Sequence, residues 1–273
     1  MNGVRSAAPL RWEPDEARGW EDHYVEHGFC VLRGLIDGVT CGAALDEVRR
    51  LIDESRPLAD WDSIRPGQRH TVYYYGQARA IDKLIEHPSL ASILRTFFGS
   101  RSFHFGSTND ANPDRRRFAL WVNPYDAGAR QRLLPMGHVD SGSPCRGTAI
   151  QIALAPTRPF SGNTTFFPDS HRELQRWIEE HKGEVDASWP GSVYPELRRP
   201  LPPWEFVAEP GDVVLSHHFL FHSGNPSHAD DRSPRVSVRV EVFPEHPLDE
   251  ESLTSAEGTA FERSLAPYHR SNK

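Results

Sequence analysis

Two different spacings of apolar residues divide the chain. In the first third, apolar residues recur at three- and four-residue intervals, which is typical of helices with one buried face. A helix that ends before Pro57 is predicted by four of them: Ala44, Val48, Leu51 and Ile52. A second helical region is predicted over Ala80–Phe98, interrupted at Pro88 and ended by Gly99. The run HGFCVLRGLI (His27–Ile36) reads as a strand with turn residues at both ends.

From about Ser102 the pattern changes to short β-rich runs separated by Gly, Pro and Asn. The six predicted strands are Ser102–Ser107, Phe118–Asn123, Thr148–Ala155, Thr164–Phe167, Asp212–His217 and Arg235–Phe243. One helix is predicted among them, opened by a capping box at Ser170-His-Arg-Glu173. Many short strands at this spacing indicate a sandwich or barrel, not a parallel βαβ sheet. The predicted fold is mainly β with flanking helices, a β-sandwich or jelly roll.

The domain organisation follows from the same pattern. No repeat or low-complexity linker appears, which favours one domain over 1–273. It would comprise a helix-rich part over about 1–100, packed on a barrel core over about 101–245. The tail, 246–273, is acidic in its first half and predicts a peripheral helix, a lid or disorder.

Composition narrows the function classes. The chain is 37% hydrophobic and 25% charged with a net charge of −7, which favours a packed protein and argues against nucleic acid or anionic membrane as the main partner. Three scattered cysteines fit a reducing compartment, and the start has no apolar signal-peptide core. We expect a cytoplasmic protein that is a monomer or homodimer and acts on a small molecule.

The last predicted strand alternates strictly. One face carries four valines, Val236, Val238, Val240 and Val242; the other carries Arg235, Ser237, Arg239 and Glu241. Alternation by itself favours a core face and a solvent face. The alternative is that the polar face lines a barrel cavity. There Arg235 and Ser237 would bind a carboxylate, since the planar guanidinium fork matches that group.

A His-x-Asp pair at His138-Val-Asp140 is a candidate for half of a metal site. Extended backbone would place both side chains on one face. The pair proves little alone, because a second one, His228-Ala-Asp230, occurs in a polar run with turn character. A facial triad needs a second imidazole from a distant strand. The segment Glu209–Ser227 offers three candidates, His217, His218 and His222.

The order of these parts resembles a known family. His-x-Asp is followed by a strand, SGNTTFFPDSHREL, Pro-Gly-Asp, His-Ser-Gly-Asn and Arg-x-Ser, and the run His27–Ile36 resembles that family's N-terminal strand. The sequence is similar to the phytanoyl-CoA dioxygenase-like branch of the iron(II)/2-oxoglutarate-dependent oxygenases over roughly residues 20–243. One departure is Asp169, which stands where the family's Pro-Gly-Ser-His segment has glycine.

The resemblance implies a double-stranded β-helix (jelly-roll, cupin-like) barrel and a set of site residues. The iron(II) ligands would be His138, Asp140 and His222. Arg235 with Ser237 would hold 2-oxoglutarate, with Arg232 as a second candidate for the arginine; Asn123 would contact cosubstrate or substrate. With iron, 2-oxoglutarate and O2, the expected reaction is hydroxylation, desaturation or oxidative cyclisation in natural-product biosynthesis. Related halogenases have Gly or Ala at the position of Asp140, so its carboxylate argues against halogenation.

Two other functions fit parts of the pattern. A cupin-like isomerase or hydrolase would use the same metal ligands for non-redox chemistry, but it has no need of a 2-oxoacid clamp at Arg235 and Ser237. A catalytically silent barrel would act as a binding module and would bind no iron.

Overall fold

The computed structural model describes most of the chain. The described residues are 19–54, 62–65, 68–74, 76, 78–99, 101–106, 117–123, 147–159, 161–180, 204–224, 235–245 and 258–271. Six helices lie within them: α1 Trp20–His27, α2 Gly38–Glu54, α3 Arg79–Ile85, α4 Pro88–Phe98, α5 Ser170–Glu180 and α6 Ala260–Ser271. The strands are β1 Phe29–Leu32, β2 Asp62–Arg65, β3 Gln68–Tyr74, β4 Phe103–Gly106, β5 Arg117–Asn123, β6 Thr148–Ala153, β7 Thr164–Phe166, β8 Trp204–Glu205, β9 Val213–His217, β10 His222–Gly224 and β11 Arg235–Pro244.

The strands form two antiparallel sheets. The larger has eight strands in the order β1-β9-β6-β11-β5-β3-β2, with β4 also paired to β11; the smaller has the order β10-β7-β8. Strand β11 is a central strand of the larger sheet and pairs with three others. It pairs with β6 on one side and, on the other, with β5 at its start and β4 at its end. Sequence-distant strands therefore meet at β11, as the predicted jelly roll requires.

The two faces of the larger sheet have different partners. Its aliphatic face packs against the helices, so the valines of β11 share one core with Tyr24, Leu94 and Phe97. Its other face meets the smaller sheet in a second cluster that includes Phe29, Val214, Phe166 and Trp204. Burial of both faces follows from this layering.

Most predicted boundaries are confirmed within a few residues. Helices α2, α3 and α4 occur as expected, and Gly99 ends α4 with a φ of 68°. All six predicted strands are present. The predicted strand His27–Ile36 is shorter, because α1 continues to His27 and ends at Gly28, whose φ is 80°. Helix α1 itself, and strands β2, β3, β8 and β10, were not among the predicted elements.

The end of the chain forms a helix, one of the alternatives predicted for the tail. Phe261 of α6 packs against Phe97 and Phe98, with ring centroids 5.6 and 4.8 Å apart. A capping box opens the helix: the Thr259 N–H donates to Glu262 Oε2 at 2.8 Å, and the Glu262 N–H donates to Thr259 Oγ1 at 3.3 Å. No helix among the described residues is long and apolar enough to span a membrane.

Candidate active site

The polar face of β11 points between the two sheets. Arg235 is only 5% exposed and Ser237 only 1%. The expectation of a solvent face is wrong at these positions, because the smaller sheet covers them. The alternative, a polar lining inside the barrel, is what the structure shows for Arg235 and Ser237.

A hydrogen-bonded network joins the two sheets at this face. Arg235 Nη1 donates to Thr164 Oγ1 of β7 at 2.8 Å, and that hydroxyl donates to Gln151 Oε1 of β6 at 2.8 Å. Gln151 Nε2 in turn donates to Ser237 Oγ at 3.4 Å. The chain of bonds fixes the guanidinium at one orientation, through side chains that are themselves buried.

The guanidinium of Arg235 is a buried cation with an unused hydrogen-bond donor. Its Nε atom has no hydrogen-bond partner. Within the described part of the chain no carboxylate forms an ion pair with it. Burial, and next the charge of Arg239, lower its pKa to about 10, against the opposing effect of Glu205. Arg235 therefore remains protonated at neutral pH, and an entering carboxylate would meet both a charge and an unused donor.

His222 lies on the smaller sheet and faces the same space between the sheets. It is 3% exposed and opens β10, where its backbone pairs with Phe166 of β7. Phe166 belongs to the cluster between the sheets, and Thr164, two residues before it, holds Arg235. Paired residues of antiparallel strands point to the same side. His222 and Arg235 are thus brought to one interior region by β7.

The ring of His222 is held in one tautomer. Its Nδ1 lies 3.0 Å from the carbonyl oxygen of Leu220. A carbonyl only accepts hydrogen bonds, so Nδ1 carries the proton and the neutral ring has its lone pair on Nε2. Metal-binding histidines commonly have this arrangement.

The competing histidines occupy other places. His217 faces the helices, with its ring 5.3 Å from that of His171 and 6.2 Å from that of Tyr24. His218 packs its ring 5.4 Å from Phe243, at the opposite end of β11 from Arg235. Of the three candidates, His222 is therefore the one in the space between the sheets, where Arg235 also lies.

The Pro-Gly-Asp turn before β9 has a structural role. Asp212 is buried and accepts hydrogen bonds from Arg33 at 2.6 Å, from the Gly34 N–H at 2.8 Å and from the Glu209 N–H at 3.0 Å. Gly211 has a φ of 91°, and a Cβ there would lie 2.0 Å from the carbonyl oxygen of Ile36. The turn thus joins the end of β1 to the start of β9.

The segment before α5 supports the residues that precede His222. Asp169 adopts a φ of 67°, the left-handed conformation in which glycine is favoured and aspartate is tolerated. Its carboxylate lies 2.8 Å from His27 Nδ1. Ser170 does not act as the predicted cap: its hydroxyl accepts from the Phe221 N–H at 2.8 Å, while Glu173 accepts from Arg176.

His138, Asp140 and Arg232 lie outside the described residues, as does the His228-x-Asp230 pair. The backbone of Asn123 pairs with Arg235 across β5 and β11, at the predicted site. Among the described residues no group of three His, Cys, Asp or Glu side chains is placed to hold a metal.

Two network residues were missed by the sequence analysis. Gln151 could have been found from the sequence, since it is the one long polar residue in the apolar strand TAIQIA. Nothing in the sequence distinguishes Thr164, because β-branched residues are common in strands.

Comparison with known proteins decides the family. The model of the phytanoyl-CoA dioxygenase (PhyH) family matches residues 24–236, well over half of the chain. The chain belongs to this family. The resemblance seen in the sequence is confirmed, and the PhyH-family chain is an oxidoreductase.

Individual relatives agree with this assignment. The 1-deoxypentalenic acid 11-beta-hydroxylase of Streptomyces arenae is 24% identical over 248 residues, which cover 84% of this chain and 82% of the relative. The non-heme alpha ketoglutarate dependent carbocyclase SnoK from nogalamycin biosynthesis superposes with a TM-score of 0.60 at 17% identity, over 84% of this chain and 92% of SnoK. HygX from Streptomyces hygroscopicus, solved with nickel and 2-oxoglutarate bound, gives a TM-score of 0.53 at 15% identity, over 86% and 92% of the two chains. These structures confirm the predicted jelly-roll fold for this PhyH-family member.

Proposed function

We propose that this PhyH-family enzyme is an iron(II)- and 2-oxoglutarate-dependent oxygenase that oxidises an unactivated C–H bond of a small molecule in natural-product biosynthesis. The observation that carries the proposal is the buried and fixed guanidinium of Arg235, whose Nε has no hydrogen-bond partner and which lies between the sheets with His222.

The residues present fit the carboxylate of a 2-oxoacid. A protonated arginine inside a protein is costly unless an anion completes its hydrogen bonds. Thr164 already accepts from Nη1, which leaves the Nε edge for the ligand. Ser237 adds a hydroxyl on the same face of β11, two residues along. A metal-dependent isomerase or hydrolase of the cupin kind has no use for such a clamp.

The residues also fit a metal. His222 already uses its Nδ1–H on the carbonyl of Leu220, so Nε2 is the ring atom suited to a divalent ion. His138 and Asp140 are the proposed second and third ligands, which would complete two imidazoles and one carboxylate on one side of the ion. Iron with 2-oxoglutarate, when bound, would supply the oxidising power for attack on a C–H bond.

The protein's own side chains and sheets would position the reactants and exclude water. Arg235 and Ser237 would orient 2-oxoglutarate, and the two sheets would keep water from the reacting atoms. The carboxylate of Asp140 would fill a position that related halogenases leave open, which favours hydroxylation, desaturation or ring closure over halogenation. The relative named for hydroxylation of 1-deoxypentalenic acid, and SnoK, named as a carbocyclase of nogalamycin biosynthesis, support a small-molecule substrate from natural-product biosynthesis.

The test is substrate-stimulated succinate release by anaerobically purified enzyme supplied with Fe(II), 2-oxoglutarate and then air. We expect release in the wild type and none in His138→Ala. Turnover that persists in His138→Ala, or a wild-type protein that binds neither iron nor 2-oxoglutarate, would refute the proposal. The second outcome would favour the silent barrel.

A further inference from the structure

Ser170 lies outside the barrel interior but touches the residues that lead into β10. It is fully buried, and its hydroxyl accepts the Phe221 N–H at 2.8 Å. Close by, the Phe167 N–H donates to the Phe221 carbonyl at 2.9 Å. The turn from Phe167 to Ser170 therefore holds both polar backbone groups of the residue immediately before His222.

The peptide unit involved is also the one that orients His222. The Phe221 N–H and the Leu220 C=O belong to one planar peptide, so fixing the direction of one fixes the other. That Leu220 carbonyl accepts from His222 Nδ1 at 3.0 Å. A continuous path thus runs from the Ser170 hydroxyl, through a rigid peptide plane, to the imidazole.

Two further contacts keep Ser170 in place. The Asp169 N–H donates to the His27 carbonyl at 3.2 Å, and the Asp169 carboxylate lies 2.8 Å from His27 Nδ1. These bonds tie the turn to the end of α1. The left-handed φ of 67° at Asp169 lets the chain reverse just before Ser170.

We infer that Ser170 is a positioning residue for His222: it sets the peptide plane of Leu220–Phe221, and with it the tautomer and orientation of the imidazole. The inference rests on the proposed function for its catalytic meaning, since His222 matters to the reaction as a metal ligand. The local relay itself does not depend on iron.

The first measurement uses metal-free protein labelled with ¹⁵N in its histidine rings. The His222 signals, assigned by their loss in His222→Ala, should show the Nδ1–H tautomer in the wild type. In Ser170→Ala we expect a mixture of both tautomers, because the Leu220 carbonyl is then free to turn. Ser170→Thr keeps the oxygen and should restore the wild-type pattern. An unchanged tautomer in folded Ser170→Ala overturns the inference.

The second measurement is the affinity for Ni(II), which stands in for Fe(II) and does not turn over. Changes of groups behind a metal ligand typically weaken binding by about 10–100-fold, and we expect about tenfold for Ser170→Ala. Ser264→Ala is the matched control, since it removes another buried hydroxyl, bonded to the Phe261 carbonyl, on α6. It should bind Ni(II) like the wild type.

The outcomes separate the two proposals. If His222→Ala binds Ni(II) normally, the proposed metal site is wrong, while the tautomer result still decides the relay. If His222→Ala loses Ni(II) and Ser170→Ala binds it as tightly as the wild type, the proposed function stands and the positioning role of Ser170 is refuted. Equal losses in Ser170→Ala and Ser264→Ala would also refute it, as a general effect of weakened packing.

Discussion

Replacing Arg235 by methionine should stabilise the ligand-free protein while removing its response to 2-oxoglutarate. Burial lowers the pKa of Arg235 to about 10. Each pKa unit corresponds to about 1.4 kcal/mol, so the buried charge lowers the free energy of unfolding of the ligand-free protein by about 3 kcal/mol. Methionine is similar in length and uncharged, and it forfeits only the bond to Thr164, worth about 1 kcal/mol. The free energy of unfolding should therefore rise by about 2 kcal/mol.

The same change should cost most of the affinity for 2-oxoglutarate. A hydrogen bond to a charged group contributes about 1.5–3 kcal/mol, and the fork of a guanidinium offers a carboxylate two of them. Their loss amounts to about 3–6 kcal/mol, or about 10²–10⁴-fold in Kd.

Thermal unfolding with and without 2-oxoglutarate, in the presence of Ni(II), measures both effects. At a ligand concentration about 100 times its Kd, the wild type should gain about 2.7 kcal/mol. For a chain of this size that is a rise in Tm of roughly 5–10 °C. Arg235→Met should start from a higher Tm and rise by about 1 °C at most.

Arg101→Met is the matched control. Arg101 is an arginine with a partner, because it bonds Glu262 at 2.8 Å on α6. Its loss should lower the Tm and leave the 2-oxoglutarate response intact. The reasoning is refuted if Arg235→Met is destabilised like Arg101→Met, or if it keeps the wild-type rise with ligand.

Three further predictions concern histidines and the turn before α5. His222→Ala should lose Ni(II) binding and succinate release, whereas His218→Ala should keep both; equal behaviour in a binding titration would contradict the site. Burial lowers the pKa of His23 to about 4 and of His171 to about 3, so the unfolded chain binds protons that the folded one does not as pH falls below about 6.5. Each of these two histidines should then lower the free energy of unfolding by about 1.4 kcal/mol per pH unit, down to its pKa in the folded protein. In urea unfolding, the free energy of unfolding of His171→Gln should therefore depend on pH less steeply, by about one bound proton. Finally, Asp169→Ala should be less stable than Asp169→Gly by about 1 kcal/mol in urea unfolding, because only glycine adopts this φ without cost; the reverse order would contradict the left-handed conformation.

Local patterns predicted the elements but not which surfaces would be covered. The alternation in β11 identified its two faces correctly, yet it favoured solvent for the polar one. Whether Arg235 faces water depends on β7, which lies about 70 residues earlier and covers it through Thr164. No periodicity within a strand contains that information.

The capping box shows the same limit. Ser170-x-x-Glu173 and Thr259-x-x-Glu262 are equally good signals by residue type, but only the second forms the reciprocal bonds. Ser170 is buried against a distant backbone N–H, and that contact takes its hydroxyl. Its part in the candidate site could therefore be found only from the tertiary structure. The ligand roles of His138 and Asp140 stay predictions.

The two faces of β11 have different contacts, and this affects which substitutions the enzyme can tolerate. Its valines contact the helical core, whereas Arg235 and Ser237 face the space between the sheets, on the opposite side of the same backbone. Changes to the valines would thus act mainly on the packing of the helical core, and changes to Arg235 and Ser237 mainly on what binds between the sheets. Binding between the sheets could then change on this strand without loosening the helical core. Mutant libraries restricted to the inner-facing positions should accordingly contain a higher fraction of folded variants.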